Sequence, residues 1–258
     1  YYVGNEFYQL WLDQGMTYSS AMFAPGDDDL VRAQTRKYDR VLDRLGAGES
    51  VLEIGCGWGG FAERAADQGR RVTGITISPS QLGYANARLD GRAELRLQDY
   101  RKTTGTFDNI VSIEMIEAVG ERYWPGYFST LKNRLAGDGR AMVQAITVDD
   151  GYFDIYRTNS DYIRQYTFPG GMLLSDAMIA HHAAKAGLKV TDNFGFGQDY
   201  ARTCRMWSER LSAASDKVLG LGYDQGFLRN WQFYLQICAA SFETRQTDVV
   251  QVELTHAT

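Results

Sequence analysis

At 258 residues, with 44% apolar and 23% charged side chains, the chain has the length and balance of an ordinary globular protein with one substantial core. Its net charge of −5 speaks against a nucleic-acid partner, whose phosphates demand clustered cations. Three cysteines (Cys56, Cys204 and Cys238) make no disulfide framework and suit a reducing cytoplasm. No apolar run approaches the ~20 residues needed to cross a bilayer. The first residues, Tyr1-Tyr2-Val3-Gly4-Asn5, form an aromatic segment without a signal-peptide pattern or an initiating Met, so we expect an upstream portion of the protein. One local basic group, Arg36, Lys37 and Arg40, is diluted by Asp39 and Asp43 and reads as a solvated helix face.

In chain order, Asp28–Leu45 is an amphipathic helix with acidic residues in its first turn and Gly46 as its stop. A strand (Val51–Gly55), a helix (Trp58–Gln68), a strand (Arg71–Thr76) and a helix (Pro79–Leu89) follow. Strands at Ala93–Leu97 and Asn109–Ile113, a helix at Tyr123–Leu135 and a strand at Arg140–Ile146 continue the rhythm. Such alternation predicts a mostly parallel sheet covered by helices on both faces. Beyond a Tyr-, Phe- and Gly-rich stretch, the pattern gives a helix (Ser175–Ala186), a strand (Val190–Phe196), two long helices (Tyr200–Leu219, Gly226–Phe242) and a last strand (Asp248–His256). That last strand alternates Val249, Gln251 and Glu253 with Val250, Val252 and Leu254, which predicts an edge position. The simplest organisation is a single α/β domain over 1–258, with a helical lid segment at 1–46 and helical insertions at about 147–186 and 200–242.

The segment Glu53-Ile54-Gly55-Cys56-Gly57-Trp58-Gly59-Gly60 leaves a buried strand and enters a helix. Glycines there permit a tight turn and close approach of a ligand, and a helix start offers free N–H groups. A dinucleotide fingerprint competes, since Gly55, Gly57 and Gly60 fit its spacing. However, no acidic residue ends the second strand to hold a ribose; the chain reads Gly74-Ile75-Thr76-Ile77-Ser78-Pro79-Ser80-Gln81 instead. A purely structural glycine turn is the bland alternative. Gly-Cys-Gly after an acidic strand end resembles the first motif of class I S-adenosylmethionine-dependent methyltransferases.

The resemblance narrows further. Gly74–Gln81 is similar to the second cofactor motif of cyclopropane fatty acid synthases and mycolic acid cyclopropane synthases. Asn5-Glu6-Phe7-Tyr8 with Met16–Phe23 resembles their N-terminal lid, Ser112-Ile113-Glu114-Met115-Ile116-Glu117-Ala118-Val119-Gly120 their catalytic glutamate segment, and Asp199-Tyr200-Ala201-Arg202-Thr203 with Trp207 their late tyrosine segment. The family implies a class I methyltransferase fold: a seven-stranded, mostly parallel sheet with an antiparallel last strand. It implies S-adenosyl-L-methionine as cofactor, contacted by Tyr18, Ser19, Gly55, Gly57, Thr76, Ile77 and Gln81, with Asp99 and Tyr100 flanking the adenine. Its activity is methyl transfer onto an acyl double bond through a carbocation. The base is a bound bicarbonate, whose ligands fall here at Ser20, Glu117, Gln144 with Ile146, and Tyr200. Ser20 stands where the family has Cys and Gln144 where it has His; each still hydrogen-bonds, but Gln cannot be protonated, which puts bicarbonate occupancy and ring closure in doubt. Ala118 replaces a His beside the catalytic glutamate.

We therefore expect C-methylation of an unsaturated phospholipid acyl chain, giving a cyclopropane or a methyl- or methylene-branched product, including the diene precursors of furan fatty acids. The runners-up are a small-molecule amine N-methyltransferase and a catalytically silent cofactor- or lipid-binding protein. We expect a cytoplasmic protein touching the inner membrane leaflet peripherally through the aromatic stretches Tyr152–Phe168 and Phe227–Tyr234, which would serve equally as tunnel lining, and a homodimer is compatible with the sequence. No metal is expected: adjacent His181 and His182 project about 100° apart on a helix, and Asp149 and Asp150 read as a strand-end turn. Cys56 reads as a small packing residue, not a nucleophile.

Overall fold

The computed structural model describes residues 3–257; Tyr1 and Tyr2 of the aromatic start lie outside them. Seven strands form one sheet: β1 (Ser50–Ile54), β2 (Arg71–Thr76), β3 (Glu94–Leu97), β4 (Phe107–Ile113), β5 (Leu135–Val148), β6 (Leu188–Gly195) and β7 (Thr247–His256). Their order is β3-β2-β1-β4-β5-β7-β6. The first five run parallel, and β7 pairs antiparallel with both β5 and β6. Order and directions match the class I methyltransferase fold that the sequence implied.

Local chemistry sets the helix boundaries. The helix α1 (Asn5–Gln9) opens the lid, and α2 (Leu30–Arg44) starts where the Asp29 carboxylate accepts from Arg32 N at 3.0 Å. After β1 the chain turns into α3 (Gly60–Asp67), and Ser78 caps α4 (Pro79–Leu89) with Pro79 in its first turn. The helices α5 (Trp124–Arg134) and α7 (Asp176–Lys185) cover one face of the sheet, with α6 (Phe153–Thr158) between them in sequence. Their apolar stripes, including Trp124, Phe128, Leu131 and Ile179, pack on Ile110, Val143 and Val252. On the other face α2 and α3 bury Val41, Leu42, Phe61 and Ala65 against Val51, Val72 and Val111. A third cluster is largely aromatic and joins the lid to α8 (Gly197–Ala213) and α10 (Gln225–Glu243): Phe7, Trp11, Trp207 and Trp231 are all buried in it.

Four expectations need correction. Strand β7 is interior, flanked by β5 and β6, so the edge is β6. Gln251 and Glu253 alternate with valines because they are buried with polar partners, not because they face water: Gln251 bonds Arg40 and Gln144, and Glu253 bonds Arg44 and Thr191. The supposed solvated face of α2 is not solvated at Lys37, which is 0% exposed, with its ammonium donating to Ser19 Oγ at 2.6 Å. The helix expected through Tyr200–Leu219 breaks at Ala214, and a separate short helix α9 (Ser215–Gly220) follows. Finally, β5 runs 14 residues, because Leu135–Gly139 joins the strand through a register shift opposite Phe107 and Asn109. No described helix is long and apolar enough to cross a membrane.

Candidate active site

At the C-terminal ends of β1, β2 and β4 lies a cavity of about 1510 Å³, bounded by the lid on one side and by the 161–173 segment and α10 on another. This is where parallel α/β sheets take ligands. The loop after β1 reaches it through three left-handed glycines, Gly55 (φ +83°), Gly57 (φ +51°) and Gly59 (φ +84°). Their reasons differ. A Cβ on Gly59 would press on Ala85 and Leu89 of α4 at 3.1 Å, so that glycine lets two helices meet. A Cβ on Gly57 would meet no protein atom within 4 Å and would project into open space beside the cavity. Cys56 is packed against β2, where a Cβ on Gly74 would touch it at 3.0 Å, and burial pushes its thiol far up, as expected of a packing residue.

Glu53 is buried, its Oε2 has no protein partner, and burial raises its carboxyl to about 8 despite the nearby charges of Lys37 and Arg88. An orphaned buried acceptor beside a glycine cradle suits a ligand carrying an ammonium group, as the amino-acid end of S-adenosylmethionine does. Around it, Thr76 Oγ1 donates to Gln81 Oε1 at 3.0 Å and accepts from Ser78 N, while Ile77 stands 77% exposed on the cavity rim. Asp99 and Tyr100 line the same end, with the Asp99 carboxylate held below its ordinary range by Arg101. Tyr18 and Ser19 arrive from the lid. The Tyr18 hydroxyl bonds Tyr234 of α10 at 3.0 Å, and Ser19 Oγ is taken by Lys37. Asn5 straps α1 to the loop by accepting from Trp58 Nε1 at 2.8 Å. All nine residues expected at the cofactor therefore line one cavity.

The residues expected around an anion also converge, but on a residue that the sequence reading passed over. Glu114 ends β4 in a left-handed backbone (φ +50°), a conformation that disfavours a side-chain-bearing residue. Its Oε1 accepts from Ser20 N at 2.8 Å and from Gln144 Nε2 at 2.7 Å, and its Oε2 accepts from the Tyr200 hydroxyl at 2.5 Å. Ser20 thus contributes its backbone, and its hydroxyl turns away to donate to Ala21 O. Gln144 is held in one orientation: its Oε1 accepts from Gln251 Nε2 at 3.0 Å, and Gln251 Oε1 accepts from Arg40 at 2.7 Å. Ile146 N donates to Glu117 Oε1 at 2.6 Å, leaving Glu117 Oε2 buried and unpartnered. Burial and the neighbouring Glu114 carboxylate raise Glu117 to about 8. Burial raises Glu114 too, opposed by Tyr200, Lys37, Ser20 and Gln144. Of this set Glu114, Glu117, Ile146 and Tyr200 line the cavity, whereas Ser20 and Gln144 stand behind Glu114. The donors expected for bicarbonate are therefore already spent on carboxylates of the chain, and the arrangement does not fit an added bicarbonate.

Glu114 was findable. A second glutamate stands three residues before Glu117, inside the very segment that resembles the family's catalytic one. No metal is assembled here: among the described residues, no group of three or more His, Cys, Asp or Glu is placed to hold one. His182 packs on Trp124 and Phe128. Asp149 closes a turn on Gly151 N, and Asp150 accepts from Ala177 N at the start of α7.

With this geometry described, comparison with known proteins decides the family. The model of mycolic acid cyclopropane synthetases matches residues 1–252. The chain belongs to this family. It is 39% identical to the tuberculostearic acid methyltransferase of Mycobacterium tuberculosis, over 97% of this chain and 62% of that protein. It is 34% identical to the cyclopropane-fatty-acyl-phospholipid synthase of Escherichia coli K12, over 98% of this chain and 65% of that one. The chain thus spans under two thirds of the length of these curated relatives. Among solved structures it is similar to a mycolic acid cyclopropane synthase complexed with S-adenosylhomocysteine and CTAB, with a TM-score of 0.90 and 28% identity over 97% of this chain and 94% of that one.

Proposed function

We propose that the protein is an S-adenosylmethionine-dependent methyltransferase that places a methyl group on a double-bond carbon of an unsaturated phospholipid acyl chain. The observation that carries this reading is the continuity of one cavity. It runs from the glycine loop, past two buried carboxyls, into a chamber lined by Phe168, Met172, Tyr234 and Phe242. A polar end suits the cofactor, and an apolar, aromatic end suits a hydrocarbon chain.

S-adenosylmethionine supplies a methyl group made electrophilic by its sulfonium. The Gly55–Gly57 turn and Glu53 would hold its polar end, and Tyr18 and Ser19 would face it from the lid. An alkene is a weak nucleophile, and its π pair forming the new C–C bond leaves a cation on the neighbouring carbon. This chain has to shelter that cation from water and take one proton from it. The rings of Tyr200, Tyr234 and Phe242 on the cavity wall offer π density, and the Glu114 carboxylate offers negative charge. Loss of a proton from the delivered methyl closes a cyclopropane; loss from an adjacent carbon gives a branched alkene.

Around the cavity mouth, Ile155, Tyr166 and Phe233 are each more than half exposed and Phe168 is 41% exposed. These come from the two aromatic stretches expected to dock or to line a tunnel, of which Tyr156, Tyr162 and Tyr234 line the cavity. Peripheral attachment to the cytoplasmic leaflet through that rim belongs to the same proposal. The test is incubation with methyl-labelled cofactor and monounsaturated phospholipid, followed by acyl mass analysis and a search for ring protons. A gain of one carbon in the acyl chain is expected; no label in lipid would refute the reading.

A further inference from the structure

We propose that Glu114 is the resident base of this site: its carboxylate occupies the place, and does the work, that the family resemblance gives to a bound bicarbonate. The substrate in this inference is that of the acyl-methylation reading above, whereas the anion site stands on geometry alone.

The argument begins with a donor inventory. Ser20 N, Gln144 Nε2 and the Tyr200 hydroxyl all point at Glu114, at 2.8, 2.7 and 2.5 Å, and the remaining expected donor, Ile146 N, points at Glu117. A carboxylate, like bicarbonate, is a planar group that accepts through two in-plane oxygens. A free anion added here would find those donors spent and would sit against the buried Glu114 carboxylate, where like charges repel strongly.

The surroundings are built for this one carboxylate. Gln144 cannot turn its acceptor toward Glu114 without losing Gln251, which Arg40 fixes in turn. Glu114 N donates to Gln144 O at 2.8 Å, pinning the left-handed backbone that aims the side chain. A side-chain-bearing residue is disfavoured in that region, and such strain concentrates at functional sites. Lys37, wholly buried, adds a positive charge from behind. Burial makes the carboxylate a stronger base than a solvated one, while the donors keep it ionisable. Glu117 beside it has a single donor, Ile146 N, and burial with the neighbouring Glu114 charge raises it to about 8, which favours its protonated form.

The step balances. As the methyl bonds to one alkene carbon, the C–S pair returns to sulfur and the other carbon becomes cationic. Glu114 Oε2, which has one donor where Oε1 has two, then takes a proton from the methyl or from an adjacent carbon. The released C–H pair closes the ring or forms the new double bond, and neutral Glu114 gives its proton to solvent when the product leaves.

The decisive experiment compares the wild-type chain with Glu114→Gly and Glu114→Gln in carbon-dioxide-free buffer, with and without millimolar bicarbonate. Wild type should transfer methyl to lipid equally well in both and should not broaden the ¹³C-bicarbonate resonance. Glu114→Gly suits the φ +50° backbone and opens the anion site; it should lose about 100-fold or more in turnover, regain at least tenfold with bicarbonate, and broaden the resonance. Glu114→Gln fills the space without the charge and should stay inactive with or without bicarbonate. Wild-type dependence on bicarbonate, wild-type binding of it, or full activity of Glu114→Gln would overturn the proposal. If wild type labels no lipid, the acyl reading fails, while the ¹³C comparison still decides what holds the anion site.

Discussion

Replacing Tyr200 by Phe interrogates the site through a single oxygen. The ring stacks on Phe242 at a centroid distance of 4.4 Å and meets Trp207 edge-on at 6.0 Å. Phe keeps both contacts, so the third core cluster stays packed. What disappears is the hydroxyl that donates to Glu114 Oε2 at 2.5 Å, while the donors to Oε1, Ser20 N and Gln144, remain. A hydrogen bond to a charged group is worth about 1.5–3 kcal/mol, so the ionised carboxylate should be disfavoured by a factor of about 10 to 100. Ionisation of Glu114 then requires a higher pH. On the acid side kcat/KM for lipid methylation should fall by about that factor, the acid limb of the pH profile should move upward, and activity should recover toward wild type at alkaline pH. The assay is transfer of labelled methyl to phospholipid across pH 5–9, with thermal melts to confirm folding. An unmoved limb, or a loss equal at every pH, would refute the link between Tyr200 and the ionisation of Glu114.

Other expectations follow from neighbouring features. Glu117 is raised from its ordinary carboxylate value to about 8, so the folded state binds its proton more tightly than the unfolded chain. The stability this gives is complete below about pH 4.5 and is lost as pH rises toward 8. Glu117→Gln should therefore melt several degrees above wild type at pH 9 and match it at pH 5; equal shifts at both would exclude the carboxyl as the cause. Gly57→Ala should weaken S-adenosylmethionine binding by at least tenfold in calorimetry, whereas Gly59→Ala, which crowds Ala85 and Leu89, should mainly lower the melting temperature. The reverse pattern would invalidate the roles assigned to the two glycines. Tyr166→Ser with Phe233→Ser removes exposed aromatic surface at the cavity rim and should reduce sedimentation with phospholipid vesicles several-fold, leaving turnover of detergent-dispersed substrate intact; unchanged sedimentation would place the docking surface elsewhere.

How far the sequence could be read depended on whether a residue's neighbours along the chain are also its neighbours in space. Strand β1, its glycine turn and α3 form one local unit, and helices such as α4, with Ser78 and Pro79 at its start, carry their boundaries in their own residues. The position of β7 was hidden because Gln251 and Glu253 look solvent-facing until Arg40 and Arg44, more than 200 positions away, are brought beneath them. Lys37 misled for the same reason: its charges to answer, Glu114, Asp13 and Glu53, come from other elements. The break at Ala214 has no Gly or Pro to announce it. At the site, the segments named from the motif resemblance all reach one cavity, yet Glu114 went unnamed because its donors Gln144 and Tyr200 come from distant elements.

The supports of Glu114 carry one more implication. The Ser20 N–H, the Lys37 charge and the Arg40 guanidinium that fixes Gln251 and hence Gln144 all come from residues 20–40, ahead of β1. The segment that covers the cofactor loop is thus also the segment that arms the carboxylate, so cover and base work as an interlock. A chain cut back to β1 would keep every glycine of its cofactor turn and would still be left with a glutamate that had lost the Ser20 donor, the Lys37 charge and the Arg40 clamp behind Gln144.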